Sequence, residues 1–153
     1  MFSTDTDVIF YKQKIVALKT DGEVVIIDAT PEFKVEQILE PPDLFRPTQK
    51  LYLVESNDDL LILSRELYLK EYVFRTSGFL VYKLDLTRNS SGSINAEWYE
   101  VKSLGDWILF PGLCPSSSFT IHDFPRCKGN CIYFTDDNLN GHLDVARKGF
   151  GVS

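Results

Sequence analysis

The tightest constraint on the fold comes from two runs that are apolar at successive positions, Leu51-Tyr-Leu-Val-Glu55 and Leu60-Leu-Ile-Leu63. A strand turns alternate side chains to opposite faces, so runs of this kind need cover on both faces. Ser56-Asn-Asp-Asp59 between them is turn chemistry. Gly78-Phe-Leu-Val-Tyr-Lys-Leu-Asp85 reads as a third strand and Glu97-Trp-Tyr-Glu-Val-Lys-Ser103 as a more polar fourth. Polarity that rises from first strand to last suits a small antiparallel sheet packed inside and wet at its outer edge. That is the pattern of a propeller blade. Arg65 to Ser77, between the second and third strands, reads as a long polar and aromatic link.

Similar units flank this one. Val8-Ile-Phe-Tyr11, Lys14-Ile-Val-Ala-Leu-Lys19 and Glu23-Val-Val-Ile-Ile-Asp28 are strands, and Val35 to Leu39 a weaker outer one. Asp21-Gly22 is the strongest local hairpin signal, because it readily supplies the positive φ angles of a two-residue turn. Pro41, Pro42 and Pro47 lack amide donors and mark a crossing between units. Downstream, Trp107-Ile-Leu-Phe110, Ser117 to His122 and Cys131-Ile-Tyr-Phe-Thr135 begin a third unit, and after Gly141 the pattern decays. Ile15-Val-Ala-Leu18, Leu60-Leu-Ile-Leu63 and Ile132-Tyr-Phe134 look like one inner strand repeated, and propeller repeats span about 40–50 residues. The chain reads as all-β, a partial β-propeller of antiparallel four-stranded sheets. Residues 7–39 form a blade, 51–104 a second, and 106–153 an incomplete third.

Charge and composition narrow the function classes. A net charge of −6 with singly scattered Lys and Arg disfavours nonspecific nucleic-acid binding. No run approaches the roughly 18 apolar residues of a membrane span. The acidic start, Met1-Phe-Ser-Thr-Asp-Thr-Asp7, lacks the form of a secretory signal. Three cysteines, an odd number, argue against a disulfide framework and for an intracellular setting, nucleus or cytoplasm.

The chemical constellations each have a structural counterpart. Cys127-Lys-Gly-Asn-Cys131, with Cys114, His122 and His142, has part of a zinc pattern but no second pair at ligand spacing. A turn at Lys128-Gly-Asn130, with Cys131 opening a buried strand, explains it as well. A positive φ is expected at Gly129. Asp136-Asp-Asn-Leu-Asn-Gly141 matches half of a calcium loop, with Asp136, Asn138, Asn140 and Asp144 as oxygen donors. The position that needs a bidentate Glu is Arg147, so a polar hairpin loop competes. His122-Asp123 and the serines at 116–118 show neither an oxyanion site nor a nucleophile elbow, so no catalysis is expected. Trp98 and Trp107 are expected at seams between blades.

Several segments in order resemble one family. They are Tyr52-Leu-Val-Glu-Ser56 with Leu60-Leu-Ile-Leu-Ser-Arg65, Val81-Tyr-Lys-Leu-Asp85, and Trp98-Tyr-Glu-Val-Lys-Ser-Leu-Gly-Asp106. The most specific is Asp123-Phe-Pro-Arg-Cys-Lys-Gly-Asn-Cys-Ile-Tyr-Phe-Thr-Asp-Asp137. Over about residues 7 to 137 the chain resembles the KIB-type β-propeller of plant F-box proteins. In that family an F-box docks the Skp adaptor of a cullin-type ubiquitin ligase, and the propeller selects the protein to be ubiquitinated. The resemblance implies a protein-interaction module and no cofactor. It departs from the family where no F-box precedes residue 7 and where members continue past Lys148-Gly-Phe-Gly-Val152 into a closing strand. A truncated member is therefore expected, with no Skp binding by these residues alone and with self-association through open blade edges. The alternative is a calcium-dependent structural or binding module using Asp136 to Asp144.

Overall fold

The computed structural model describes residues 7–19, 21–29, 32, 34–41, 50–88, 90, 94–111, 117–126, 128–137 and 143–149. Among them are twelve strands and no helix. The first sheet is β1 (Asp7–Tyr11), β2 (Lys14–Leu18), β3 (Val24–Asp28) and β4 (Val35–Leu39), an antiparallel meander. The second is β5 (Lys50–Ser56), β6 (Asp59–Lys70), β7 (Val73–Arg88) and β8 (Ile94–Glu100), built the same way. The third holds β9 (Trp107–Phe110), β10 (Ser117–Thr120), β11 (Cys131–Asp137) and β12 (Leu143–Gly149) in the order β10-β9-β11-β12. The leading strand β5 lies against β1 on one side and β10 on the other. Three four-stranded sheets face to face with adjoining first strands make a partial β-propeller.

The third unit, expected to be incomplete, carries four strands. Its fourth, β12, pairs with β11 from Asp137↔Leu143 to Cys131↔Gly149. The segment Leu143-Asp-Val-Ala-Arg-Lys-Gly149 has no sustained alternation, so it is held as a strand by pairing rather than announced by pattern. The sheet is also not a simple meander, because β9 and β11 run parallel through Cys131↔Ile108 and Ile132↔Leu109.

Continuous apolar runs in the second sheet serve two cores at once. Leu60 and Ile62 join Leu53 and Leu84 against Val16, Leu18, Val24 and Ile26 of the first sheet. Leu61 and Leu63 point the other way, with Val54 and Val81, onto Leu109, Ile132 and Phe134 of the third. Most of these side chains are completely buried, each worth about 1.5–3 kcal/mol over leaving it in water. Polar pins fix the seams. The Tyr11 hydroxyl donates to Asp58 O at 2.6 Å, and Leu53 N–H donates to Asp7 Oδ2 at 2.8 Å. Trp98 Nε1–H donates to Glu40 O at 3.1 Å, and the Ser118 hydroxyl donates to Glu55 O at 2.7 Å.

One turn departs from expectation in its length. Lys19 and Glu23 pair across residues 20–22, with Lys19 N–H on Glu23 O and Gly22 N–H on Lys19 O, both at 2.9 Å. The connection is thus three residues rather than two, and it is closed by Gly22 at φ 91°. At the other hairpins, Lys12-Gln13, Asn57-Asp58 and Glu71-Tyr72 each hold two successive positive φ angles without a glycine.

Candidate interaction surface

In the second sheet β6 and β7 run 12 and 16 residues, whereas β5 and β8 have 7 each. Pairing with β5 ends at Lys50↔Arg65, and pairing with β8 ends at Tyr82↔Glu100. Past those points the two long strands pair with each other, through Leu67↔Thr76, Tyr68↔Arg75, Leu69↔Phe74 and Lys70↔Val73. What the sequence presents as a link from Arg65 to Ser77 is a two-stranded ribbon. A register shift between Glu66 and Leu67 marks its base, where a bulge sharpens the twist and re-aims the strands.

The ribbon is unusually apolar for its exposure. Tyr68 is 46% exposed, Leu69 60%, Phe74 62% and Tyr72 94%. Strand alternation puts Leu69 beside Phe74 on one face. On the other, Tyr68, Lys70, Glu71, Val73 and Arg75 line a hollow of about 310 Å³. Tyr72 forms the tip at φ 66°, after Glu71 at φ 52°. A bulky side chain in the left-handed region costs about 1–2 kcal/mol, and fold physics alone would place Asn or Gly there. We expect Tyr72→Gly to raise stability by about 1 kcal/mol, seen as a higher urea midpoint at unchanged slope. An unchanged or lower midpoint would contradict the strained turn.

Arg65 holds the base of the ribbon. It is 8% exposed. Its Nε–H donates to Thr76 Oγ1 at 2.6 Å and its Nη1–H to the Tyr52 hydroxyl at 3.3 Å. Its guanidinium carbon stands 5.1 Å from the Phe134 ring centroid. One side chain therefore ties β6, β7, β5 and the third sheet at the point where the ribbon leaves the body. Its role was hidden in sequence because an isolated Arg after a Leu-rich run looks like the end of a strand.

The shifted titrating groups lie away from the ribbon. The Lys19 ammonium is held above its usual value by its hydrogen bond to Glu23 and by that carboxylate's charge. Tyr99 is raised by donating to Glu97, and Lys12 by its contact with Tyr11. Lys12 and Tyr99 are exposed and Lys19 is half-buried at the surface, where such pairs add little to stability.

The sequence-derived metal candidates are not drawn together among the described residues, which hold no group of three or more His, Cys, Asp or Glu placed to bind a metal. Cys131 is 2% exposed in the core, while Cys114, Cys127 and His142 lie outside the described residues. The backbones of Asp136 and Asp144 face each other in the β11–β12 ladder, and Asn138 and Asn140 lie outside the described residues. Saturating calcium is expected to move the melting temperature by less than about 1 °C. A metal at 100 times its dissociation constant would add about 2.7 kcal/mol and shift it by on the order of 5 °C. A shift of that size, abolished by Asp136→Ala, would support the calcium module.

His122 is exposed. The Asp123 carboxylate is engaged locally, accepting from Thr120 N–H at 3.1 Å and Thr120 Oγ1 at 3.2 Å. Trp98 stands edge-on to Tyr82 with centroids 6.5 Å apart, and Trp107 packs against the core shared by the second and third sheets.

The comparisons with known proteins agree with this architecture. The model of the KIB1-4 beta-propeller matches residues 3–152. The chain belongs to the KIB1-4 beta-propeller family. Among similar proteins of this KIB1-4 propeller is F-box protein At2g26160 of Arabidopsis thaliana, 32% identical over 139 residues, covering 86% of the chain and 39% of that protein. Putative F-box protein At3g25750 of the same plant is 30% identical over 135 residues, covering 85% of the chain and 35% of its own length. The chain thus spans under two fifths of either relative. No solved structure matches it significantly.

Proposed function

We propose that this propeller segment is a protein-recognition module of the F-box, ubiquitin-ligase class, working inside the cell without catalysis, and that the β6–β7 ribbon engages the protein to be selected. One observation carries the reading. The ribbon extends beyond the pairing its sheet offers and ends in Tyr72, 94% exposed and in a costly backbone conformation. Exposed apolar surface that the fold does not need points to selection by a partner. Tyr and Phe give large contact area at low conformational cost, and such residues dominate interface hot spots. Among the described residues no strand pairs with either edge of the ribbon, which leaves both available to an added strand.

The adaptor-docking role belongs to an F-box, so residues 7–153 by themselves are not expected to bind a Skp adaptor. Self-association is a second reading, supported by the exposure of Val8, Phe10, Val35 and Ile38 on the first sheet. The test of the recognition reading is quantitative affinity capture from plant extract by the wild-type chain, by Phe74→Asp and by Tyr72→Ser. Proteins enriched by wild type should fall at least tenfold with either variant while melting temperatures stay within about 2 °C. Enrichment that is the same for all three chains would contradict the ribbon as the contact element.

A further inference from the structure

We propose that the segment this ribbon takes from its partner is an extended acidic strand, added along the edge of β7 from Val73 to Thr76, with a carboxylate against Arg75 and an apolar side chain against Phe74. The proposal rests on the recognition reading above and names the chemistry of the partner at that site.

The ribbon rises from the middle of the described fold, since the second sheet has the first sheet on one face and the third on the other. The strand that could have continued along β7 is turned away. β8 pairs with β7 as far as Glu100↔Tyr82, and one further bond follows, Val101 N–H donating to Val81 O at 2.8 Å. The chain then leaves for the third sheet through a turn closed by Trp107 N–H on Leu104 O at 3.0 Å. Among the described residues no strand lies along the outer edge of β7 between Val73 and Leu80. On the β6 side the residues just before Lys50 lie outside the described ones, so β7 offers the defined edge. Ser77 is the extra residue at the register shift, with Thr76 opposite Leu67 and Gly78 opposite Glu66. From there to the tip the register is regular, so Val73 to Thr76 is the stretch an added strand can follow.

A strand laid beside β7 stands about 4.8 Å away and turns its side chains alternately to the two faces of the ribbon. Those faces call for different chemistry. On one, Phe74 lies opposite Leu69, both well exposed, and an apolar side chain would cover them. On the other, Arg75 lies opposite Tyr68 and Lys70 opposite Val73. Arg75 is half-buried and Lys70 exposed. The chain has 22 acidic residues against 16 basic, and elsewhere Lys14 holds Glu36 at 2.7 Å and Lys19 holds Glu23 at 3.0 Å. Among the described residues Lys70 and Arg75 have no such carboxylate. Glu71 shares their hollow and offsets one of the two charges, which leaves the hollow positive.

A residue of the added strand directly across from Arg75 has its Cβ about 4.5–5.5 Å from the arginine's. At that range a carboxylate can accept both N–H groups of the guanidinium fork. A lysine in the same place would meet like charge. The segment selected therefore alternates acidic and apolar residues. The net charge of −6 repels an acidic peptide from the chain as a whole, so a preference for one reports the local cations.

The test is fluorescence anisotropy of the 153-residue chain with two labelled octapeptides, one alternating Glu and Val, the other alternating Lys and Val. Wild type should bind the Glu-Val peptide roughly tenfold or more tighter than the Lys-Val peptide. Arg75→Glu should reverse that order, and Phe74→Asp should weaken Glu-Val binding by roughly tenfold. If Arg75→Glu melts more than about 3 °C below wild type, Arg75→Gln replaces it, and the preference should then fall below about threefold. Equal binding of the two peptides, a preference for Lys-Val, or no binding of either up to about 1 mM overturns the acidic strand. So does a Glu-Val preference that the Arg75 variant leaves unchanged, or Glu-Val binding that Phe74→Asp does not weaken. The recognition reading is judged separately, because capture from extract tests it through Tyr72 and Phe74 whatever the charge of the partner.

Discussion

Arg65→Ala is expected to lose about 3 kcal/mol of stability and to melt about 6–12 °C lower than wild type. The loss has three sources. The Thr76 and Tyr52 hydroxyls each lose a charged donor at the ribbon base, and a hydrogen bond to a charged group is worth about 1.5–3 kcal/mol. The stem leaves a hole in a site only 8% exposed. The Phe134 ring loses the guanidinium over its face. Arg65→Lys should recover only part, since an ammonium cannot reach Thr76 and Tyr52 with a planar fork. Because this residue sits at the base, Arg65→Ala should also weaken partner capture even though it is not part of the exposed ribbon face. A melt within 2 °C of wild type would show that Arg65 is an ordinary strand-end residue.

Gly129→Val is expected to cost about 2–3 kcal/mol, a drop of roughly 5–10 °C. A Cβ at Gly129 would lie 3.0 Å from Ile121 Cγ2, 3.2 Å from Asp106 Cα and 3.2 Å from Gly105 O. Two of those three atoms are backbone, so the Leu104–Trp107 turn would have to move, and valine adds two further carbons. The same turn is held by Leu104 N–H donating to Asn130 Oδ1 at 2.7 Å and by Asn130 N–H donating to Trp107 O at 3.0 Å. Moving it would disturb both bonds. The reason for glycine thus differs from the sequence-based expectation of a positive φ there. The positive angle belongs to its neighbour Asn130, at 56°, and Gly129 is required by close approach. Gly129→Ala should cost less than Gly129→Val, and equal stability of wild type and Gly129→Val would contradict this packing.

These two sites show where the sequence was informative and where it was not. Leu60-Leu-Ile-Leu63 announced a strand buried on both faces because its neighbours on either side are apolar sheets. Trp107–Phe110 was legible as a short apolar segment ahead of a proline, and Val35–Leu39, with Glu36-Gln37 inside it, only as a weaker outer strand. The ribbon was not legible, because neither of its faces meets a core. With no burial to select an alternating pattern, Leu67-Tyr-Leu-Lys-Glu-Tyr-Val-Phe74 mixes charge and apolar residues on both faces. Its turn, Glu71-Tyr72, also lacks the Asn or Gly that marks a hairpin. The available signal was the concentration of aromatic and aliphatic residues on either side of Lys70-Glu71. The order of the third sheet was hidden for another reason. The parallel contact of β9 with β11 joins segments twenty residues apart, and no local pattern encodes such a pairing. Asp21-Gly22 gave the hairpin but not its length, since the same glycine serves two-residue and three-residue turns.

The most direct test of the account is photocrosslinking from a benzophenone amino acid placed at Tyr72, with a second probe at Ser90, in chains incubated with plant extract. Both positions are exposed, but only Tyr72 lies on the ribbon. The account predicts a discrete crosslinked protein from position 72, absent from position 90 and lost when Phe74→Asp is added. Equal products from both positions, or a position-72 product that survives Phe74→Asp, would contradict the ribbon as the recognition surface.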